Sequence, residues 1–285
     1  MPASTDTRFL YIHIMKTGGT SFAELLRRTF AEHERYPDAV LSKESTLAHR
    51  VAAYTCVPQL IRDANERAAE LRIVRGHVPY VVRGQLQAQF EAMTVLRDPV
   101  ERTLSYLKHC RKYHEEHAAM ELEEIYEQEW FYESFMHNYQ TKIFSMTLEE
   151  SVAQTRYGDR DPPLPPREAF VEGEPLPEAA QLLIKESLGR VTLELFSPAT
   201  GVVEADAQRL TTAKSNLREV ELVGVTEHYE RFLAELGRRY DWDVGAVPRK
   251  NVGAAGEVSS ALRERIARDN ALDMELYDLA LSLAL

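Results

Sequence analysis

Cysteine is nearly absent from this chain: Cys56 and Cys110 are the only two. Two cysteines cannot build a disulfide framework, and no CxxC-type spacing is present to hold a structural zinc ion. Long apolar runs are missing too, since no stretch reaches the ~18 uninterrupted apolar residues that a membrane-spanning helix needs. The first residues, Met1-Pro-Ala-Ser-Thr-Asp-Thr, lack the basic-then-apolar layout of a secretory signal, so a cytoplasmic location is expected. Basic residues are in deficit: 34 Lys plus Arg face 45 Asp plus Glu, a net charge of −11. That balance disfavours general binding to nucleic acid or to an anionic membrane surface, while leaving open a basic pocket in one cleft.

What is present is an ordinary globular composition, 44% hydrophobic and 28% charged over 285 residues, which excludes bulk disorder and a coiled-coil rod. One domain covering residues 1–285 is expected. Phe9 to Ile14 is a short apolar run closed by the turn Lys16-Thr-Gly-Gly-Thr20, and Phe22, Leu25, Leu26 and Phe30 then recur at helical spacing. Residues 58–71 read as a helix, 71–74 as a strand, about 83–90 as a helix and 93–96 as a strand. Arg97-Asp-Pro-Val-Glu-Arg102 opens the next helix, with Asp98 as N-cap, Pro99 at N1 and Glu101 at N3. An acidic helix is expected over 114–136, a proline-rich surface loop or lid over about 156–178, and helices at 177–188 and 204–218. A strand at 221–225, a helix at 227–240 and a final helical stretch at 259–283 complete the pattern. Strands alternating with helices argue for an α/β fold with a mainly parallel sheet.

Two constellations carry chemistry. The strand-to-helix turn Lys16-Thr-Gly-Gly-Thr-Ser21 combines a helix N-terminus, whose free N–H groups and dipole attract an anion, with glycines that let the backbone approach it. Lys16 adds a point charge, and Thr17, Thr20 and Ser21 add hydroxyls. The nucleotide-triphosphatase loop GxxxxGK[ST] does not occur in the chain; here the lysine precedes the glycines. The second constellation is Arg97, at the C-terminal end of a strand, with Ser105 on the helix that follows. Open α/β sheets bind ligands at that edge, and a guanidinium can grip a phosphate bidentately. Each motif alone has a plainer reading, a capped helix for the first and a surface ion pair for Arg97, with Arg102 simply solvated.

Taken together, His13-Ile-Met-Lys-Thr-Gly-Gly-Thr-Ser21 and Arg97-Asp-Pro-Val-Glu-Arg-Thr-Leu-Ser-Tyr106 resemble the sulfotransferases that use 3′-phosphoadenosine 5′-phosphosulfate (PAPS). The resemblance is to the branch containing the heparan sulfate 2-O-sulfotransferases and their bacterial relatives. Asn138-Tyr-Gln-Thr-Lys142 and Val223-Gly-Val-Thr-Glu227 are weaker echoes of the same family. Met15, where the family has proline, and Arg75, where the 2-O branch has the first histidine of a His-Gly-His-Val segment, depart from its pattern.

The resemblance implies a three-layer P-loop-like fold with helices flanking the central sheet. It implies transfer of a sulfuryl group from PAPS to a hydroxyl of a small molecule, lipid or sugar, releasing 3′-phosphoadenosine 5′-phosphate (PAP), with no metal required. Lys16 would neutralise charge on the transferring group, and Thr17, Gly18, Gly19, Thr20 and Ser21 would hold the 5′-phosphate. Arg97 and Ser105 would hold the 3′-phosphate, with Arg249 and Lys250 either closing over it or forming a solvated basic turn. His77, in Arg75-Gly-His77-Val, would be the base. Tyr126, Trp130, Phe131, Phe135 and Tyr139 read as a core stripe or an acceptor lining, and His114 and His117 as a solvated helix face. Two competing functions are a P-loop kinase with Asp98 serving a metal, and a non-catalytic nucleotide-binding module.

Overall fold

Strands covered on both faces read as continuous apolar runs, and Phe9–Ile12 (β1) is one: all four of its side chains are buried. The computed structural model describes residues 7–41, 45, 53–113, 117–152, 203–245 and 258–284. Four further strands are Arg35–Tyr36 (β2), Ile73–Gly76 (β3), Glu91–Leu96 (β4) and Leu222–Val225 (β5). They form one five-stranded sheet in the order β2-β3-β1-β4-β5, and every pairing is parallel. The helices used below are Gly19–Thr29 (α1), Val57–Glu66 (α2), Pro99–Tyr113 (α3), Leu122–Tyr126 (α4), Tyr139–Ser145 (α5), Leu148–Val152 (α6), Ala207–Arg218 (α7), Tyr229–Tyr240 (α8), Ser260–Asp269 (α9) and Ala271–Ala284 (α10).

Alternation along β1 divides the core. Phe9 and Tyr11 join Ile73, Met93 and Val95 beneath Phe22, Leu25 and Leu26 of α1 and Phe232 and Leu236 of α8. Leu10 and Ile12 join Val74, Ala92 and Leu96 against Leu60 of α2, Leu104 and Leu107 of α3, Leu217 of α7 and Leu276 of α10. Each such fully buried side chain contributes at most about 1.5–3 kcal/mol. The sheet therefore has a helical layer on each face. The connection after β1 runs toward β2 and β3, whereas the chain beyond β4 reaches β5 on the other side. The crevice above the C-terminal ends of β1 and β4 is thus the switch point at which open parallel sheets offer a ligand site. No helix among the described residues is long and apolar enough to cross a membrane.

Several expected elements are adjusted. The strand expected at 71–74 lies at Ile73–Gly76. The helix expected at 83–90 is a 3-10 turn, Tyr80–Gln85. Pro79 sets its start, Gly84 weakens continuation, and β4 already begins at Glu91. Asp98 does cap α3, accepting from the Glu101 N–H at 2.9 Å. The reciprocal half of the capping box is missing, because the Glu101 carboxylate bonds Arg263 instead. The acidic stretch is broken into α4, a turn at Glu129–Phe131 and a π turn at Tyr132–Met136. The C-terminal stretch breaks at Asn270, whose side chain accepts a bond from the Asn138 N–H at 2.7 Å. The expectations for 156–178 and 177–188 lie outside the described residues.

Candidate active site

The loop after β1 is shaped by two left-handed residues, Lys16 at φ 71° and Gly18 at φ 87°. For a lysine this conformation costs about 1–2 kcal/mol, and a bond from Arg97 Nη1 to the Lys16 carbonyl (3.1 Å) helps to hold it. Gly19 is required by contact, since a Cβ there would lie 1.8 Å from His13 Nε2. The first turn of α1 contains no acidic residue. Its Ser21 and Phe22 N–H groups turn back to the Gly18 carbonyl, whereas those of Gly19 and Thr20 take no backbone partner among the described residues. An anion is favoured at such an end. Thr20 is exposed and Ser21 buried. Thr17 is fully buried and its hydroxyl donates to the Ile14 carbonyl at 2.7 Å. Its proton therefore braces the loop, and only its main chain remains for a phosphate.

Arg97 follows β4 directly and is half-buried. With Nη1 on the Lys16 carbonyl, its Nε and Nη2 take no partner among the described residues. Neither Lys16 nor Arg97 pairs with a carboxylate there. Burial lowers the Lys16 ammonium below its usual range; Cys110 opposes that shift, and the Arg97 charge adds to it. Among the described residues these two cations thus have no carboxylate counter-ion, an arrangement that an anion relieves. Ser105 is half-buried on α3, and no bond among the described residues joins it to Arg97. Arg249 and Lys250 lie outside the described residues.

His77 follows β3, next to β1. Its Nδ1 lies 2.8 Å from the His13 carbonyl. A carbonyl only accepts, so Nδ1 carries the proton and Nε2 keeps its lone pair. The two imidazoles stack with centroids 4.2 Å apart. Burial pulls His77 down to about 4, against the bond to His13, with the Arg75 and Lys16 charges also lowering it. Burial, His77 and the Arg75 and Lys16 charges keep His13 well below the ordinary histidine range. Both rings are neutral at pH 7. Arg75 is buried, bonds the Tyr54 hydroxyl and lies 4.9 Å over the Tyr54 ring.

Lys16, Arg97, His13 and His77 thus gather at the C-terminal ends of β1, β3 and β4. Two expectations on neighbouring residues are corrected. Arg102 is not solvated but fully buried. It donates to the Phe135 carbonyl (2.7 Å) and stands 4.9 Å over the Tyr139 ring, because the π turn leaves buried carbonyls in need of a donor. His117 is buried too, with Nε2 3.1 Å from Gln128 Oε1; His114 lies outside the described residues. Tyr126, Phe131, Phe135 and Tyr139, by contrast, meet the core-stripe reading, each 1% exposed or less. The Trp130 side chain lies outside the described set. Sequence reasoning missed His13 and Gln140 as parts of the site. The signal for His13 was its parity with Tyr11 at the end of a strand. Gln140 carried no such signal, being one of four polar residues, with Thr141, Lys142 and Ser145, in the buried run Tyr139–Ser145.

A scan against protein-family models finds no match for the chain, and neither does a search of curated proteins.

Proposed function

We propose that the protein is a PAPS-dependent sulfotransferase acting on the hydroxyl of a small molecule, lipid or sugar. The observation that carries this reading is the joining of Lys16 and Arg97 across the switch point, through the Arg97 Nη1 bond to the Lys16 carbonyl (3.1 Å), with no carboxylate on either cation among the described residues. Cations held without a counter-ion at a glycine-rich helix N-terminus fit a ligand with more than one phosphate-like group. The bound co-substrate supplies an activated sulfuryl group and a nucleotide leaving group. The residues present fit it. The Gly19 and Thr20 N–H groups and the Lys16 ammonium would hold the 5′ end, and the remaining guanidinium N–H groups of Arg97, with Ser105, the 3′-phosphate.

His77 supplies the base. Its fixed tautomer directs the Nε2 lone pair away from the His13 carbonyl, free to take the acceptor's hydroxyl proton as oxygen attacks sulfur. Lys16 then stabilises the charge that builds on the departing phosphate oxygen. A histidine held to about 4 is a modest base but is unprotonated throughout the neutral range. Lys16, with its lowered affinity for a proton, loses little solvation when it meets an anion.

The test is a thermal-shift titration with PAP, with ATP, and with ATP plus Mg²⁺. A ligand at about 100 times its Kd stabilises the fold by about 2.7 kcal/mol. Stabilisation by PAP without metal, and none by ATP, is expected. Stabilisation by Mg·ATP alone would transfer the site to a kinase. His77→Ala should still bind PAP yet lose turnover with PAPS by at least about a hundredfold; near-normal turnover would remove His77 from the reaction.

A further inference from the structure

Arg97 is the first residue past the end of the sheet: the β4–β5 ladder closes at Leu96↔Val225. Its main chain would there have no strand to bond. Gln140 of α5, fully buried, supplies the missing partner. Its Oε1 accepts from the Arg97 N–H at 3.1 Å, and its Nε2 donates to the Arg97 carbonyl at 3.0 Å. One side-chain amide thus does for Arg97 what a neighbouring strand does for Leu96.

Gln140 is itself fixed from the C-terminal end of the chain. Both oxygens of Asp273, a fully buried residue of α10, accept main-chain bonds at the start of α5. Gln140 N–H donates at 3.0 Å and Thr141 N–H at 2.7 Å. In return Asn138, left-handed at φ 47°, accepts from the Leu272 and Asp273 N–H groups, both at 3.1 Å. The two helices cap each other's N-termini through short polar side chains. The line of contact runs from Asp273 to Gln140, to the Arg97 main chain, and through Arg97 Nη1 to the carbonyl of left-handed Lys16.

We infer that Gln140 is a positioning residue that aims Arg97 and so sets the preference for a nucleotide carrying a 3′-phosphate, with the C-terminal helix α10 as its anchor. The inference rests on the reading of the site as a PAP site. Gln140 touches no ligand in this scheme. Its effect passes through Arg97, so it should alter discrimination between ligands rather than binding in general.

The experiment is calorimetric titration of the wild type, Gln140→Met and Gln140→Glu with PAP and with AMP, which lacks the 3′-phosphate. Methionine keeps the volume and removes both bonds; glutamate keeps the shape and an acceptor for the Arg97 N–H, so it remains informative if the methionine variant does not fold. The wild type should prefer PAP. In Gln140→Met the PAP affinity should fall about tenfold while that for AMP stays within about twofold, as expected for hydrogen bonds that orient a charged group. Gln140→Glu should show a smaller loss of the same preference. General damage to the fold would weaken both nucleotides alike and leave the ratio unchanged. A variant that keeps the wild-type ratio overturns the role of Gln140 and leaves the site intact. A wild type with no preference for PAP over AMP overturns the reading of the site and the inference with it.

Discussion

The two edges of the sheet treat charge in opposite ways. At the N-terminal edge the starts of β4 and β5 are tied down by charged side chains. Arg83 bonds the Glu219 carbonyl at 2.7 Å and pairs with the Glu221 carboxylate. Glu221 also accepts from the Ala92 N–H at 2.6 Å, and Glu91 from the Tyr240 hydroxyl at 2.6 Å. A cleft of about 1250 Å³ opens there; on its wall Arg83 and Glu221 pair with each other, and Arg8 donates to the Leu71 carbonyl at 3.1 Å. At the C-terminal edge Lys16 and Arg97 meet no carboxylate among the described residues, and two histidines are kept neutral. Paired charge holds strands together, and unpaired charge beside left-handed backbone is the feature on which the proposed anion site rests.

The sharpest way to break this contrast is to fill a space the C-terminal edge cannot spare. Gly19→Ala would bring a methyl group to 1.8 Å from His13 Nε2. The His13 ring would have to leave its stack on His77, or the loop would have to open. Overpacking of this kind costs about 1–3 kcal/mol or more. Because the strain falls on the loop and on the proposed base together, turnover with PAPS should drop at least about a hundredfold. Turnover within about twofold of wild type would mean that neither the loop nor the histidine stack takes part.

Much of this edge was legible in the sequence, for reasons that separate its parts. The strand–turn–helix at 9–29 follows from local chemistry: an apolar run, two glycines and a 3.6-residue period. The Asp98 cap and Pro99 likewise belong to one turn of chain. Arg102, His117 and Gln140 were illegible because their environments come from segments far away in sequence. Asp273 stands 133 residues from Gln140, and nothing near Arg102 announces the π-turn carbonyls that bury it. The 3-10 turn at Tyr80–Gln85 was missed because arginine, glutamine, leucine and alanine over 83–90 suit a helix locally, while tertiary contacts decide otherwise.

The contrast should also appear in the response to acid. An unfolded histidine takes up its proton near pH 6.5, but folded His77 does so only near pH 4. Between those values the unfolded chain binds more protons, so stability falls as pH falls. His77 alone would account for a loss of up to about 3 kcal/mol by pH 4. His13, shifted in the same direction, steepens the slope. Denaturant titrations at pH 7, 6, 5 and 4.5 should show the decline, and His77→Phe should flatten it. An unchanged slope in that variant would place the acid sensitivity elsewhere.

The smallest effect should come from the other edge, and there it should be confined to stability. In Arg83→Met the Glu219 carbonyl and the Glu221 carboxylate lose their donor, while the Glu221 bond to Ala92 remains. The arginine side chain is 26% exposed, so solvent can replace part of what is lost, and a cost of about 1–2 kcal/mol is expected. That cost should appear in the denaturant midpoint. The PAP affinity should stay within about twofold of wild type, because no bond of Arg83 reaches the C-terminal ends of the strands. If Arg83→Met weakened PAP as strongly as Gln140→Met, the two edges would be one mechanical unit, and Gln140 would be acting through the stability of the sheet rather than through the aim of Arg97.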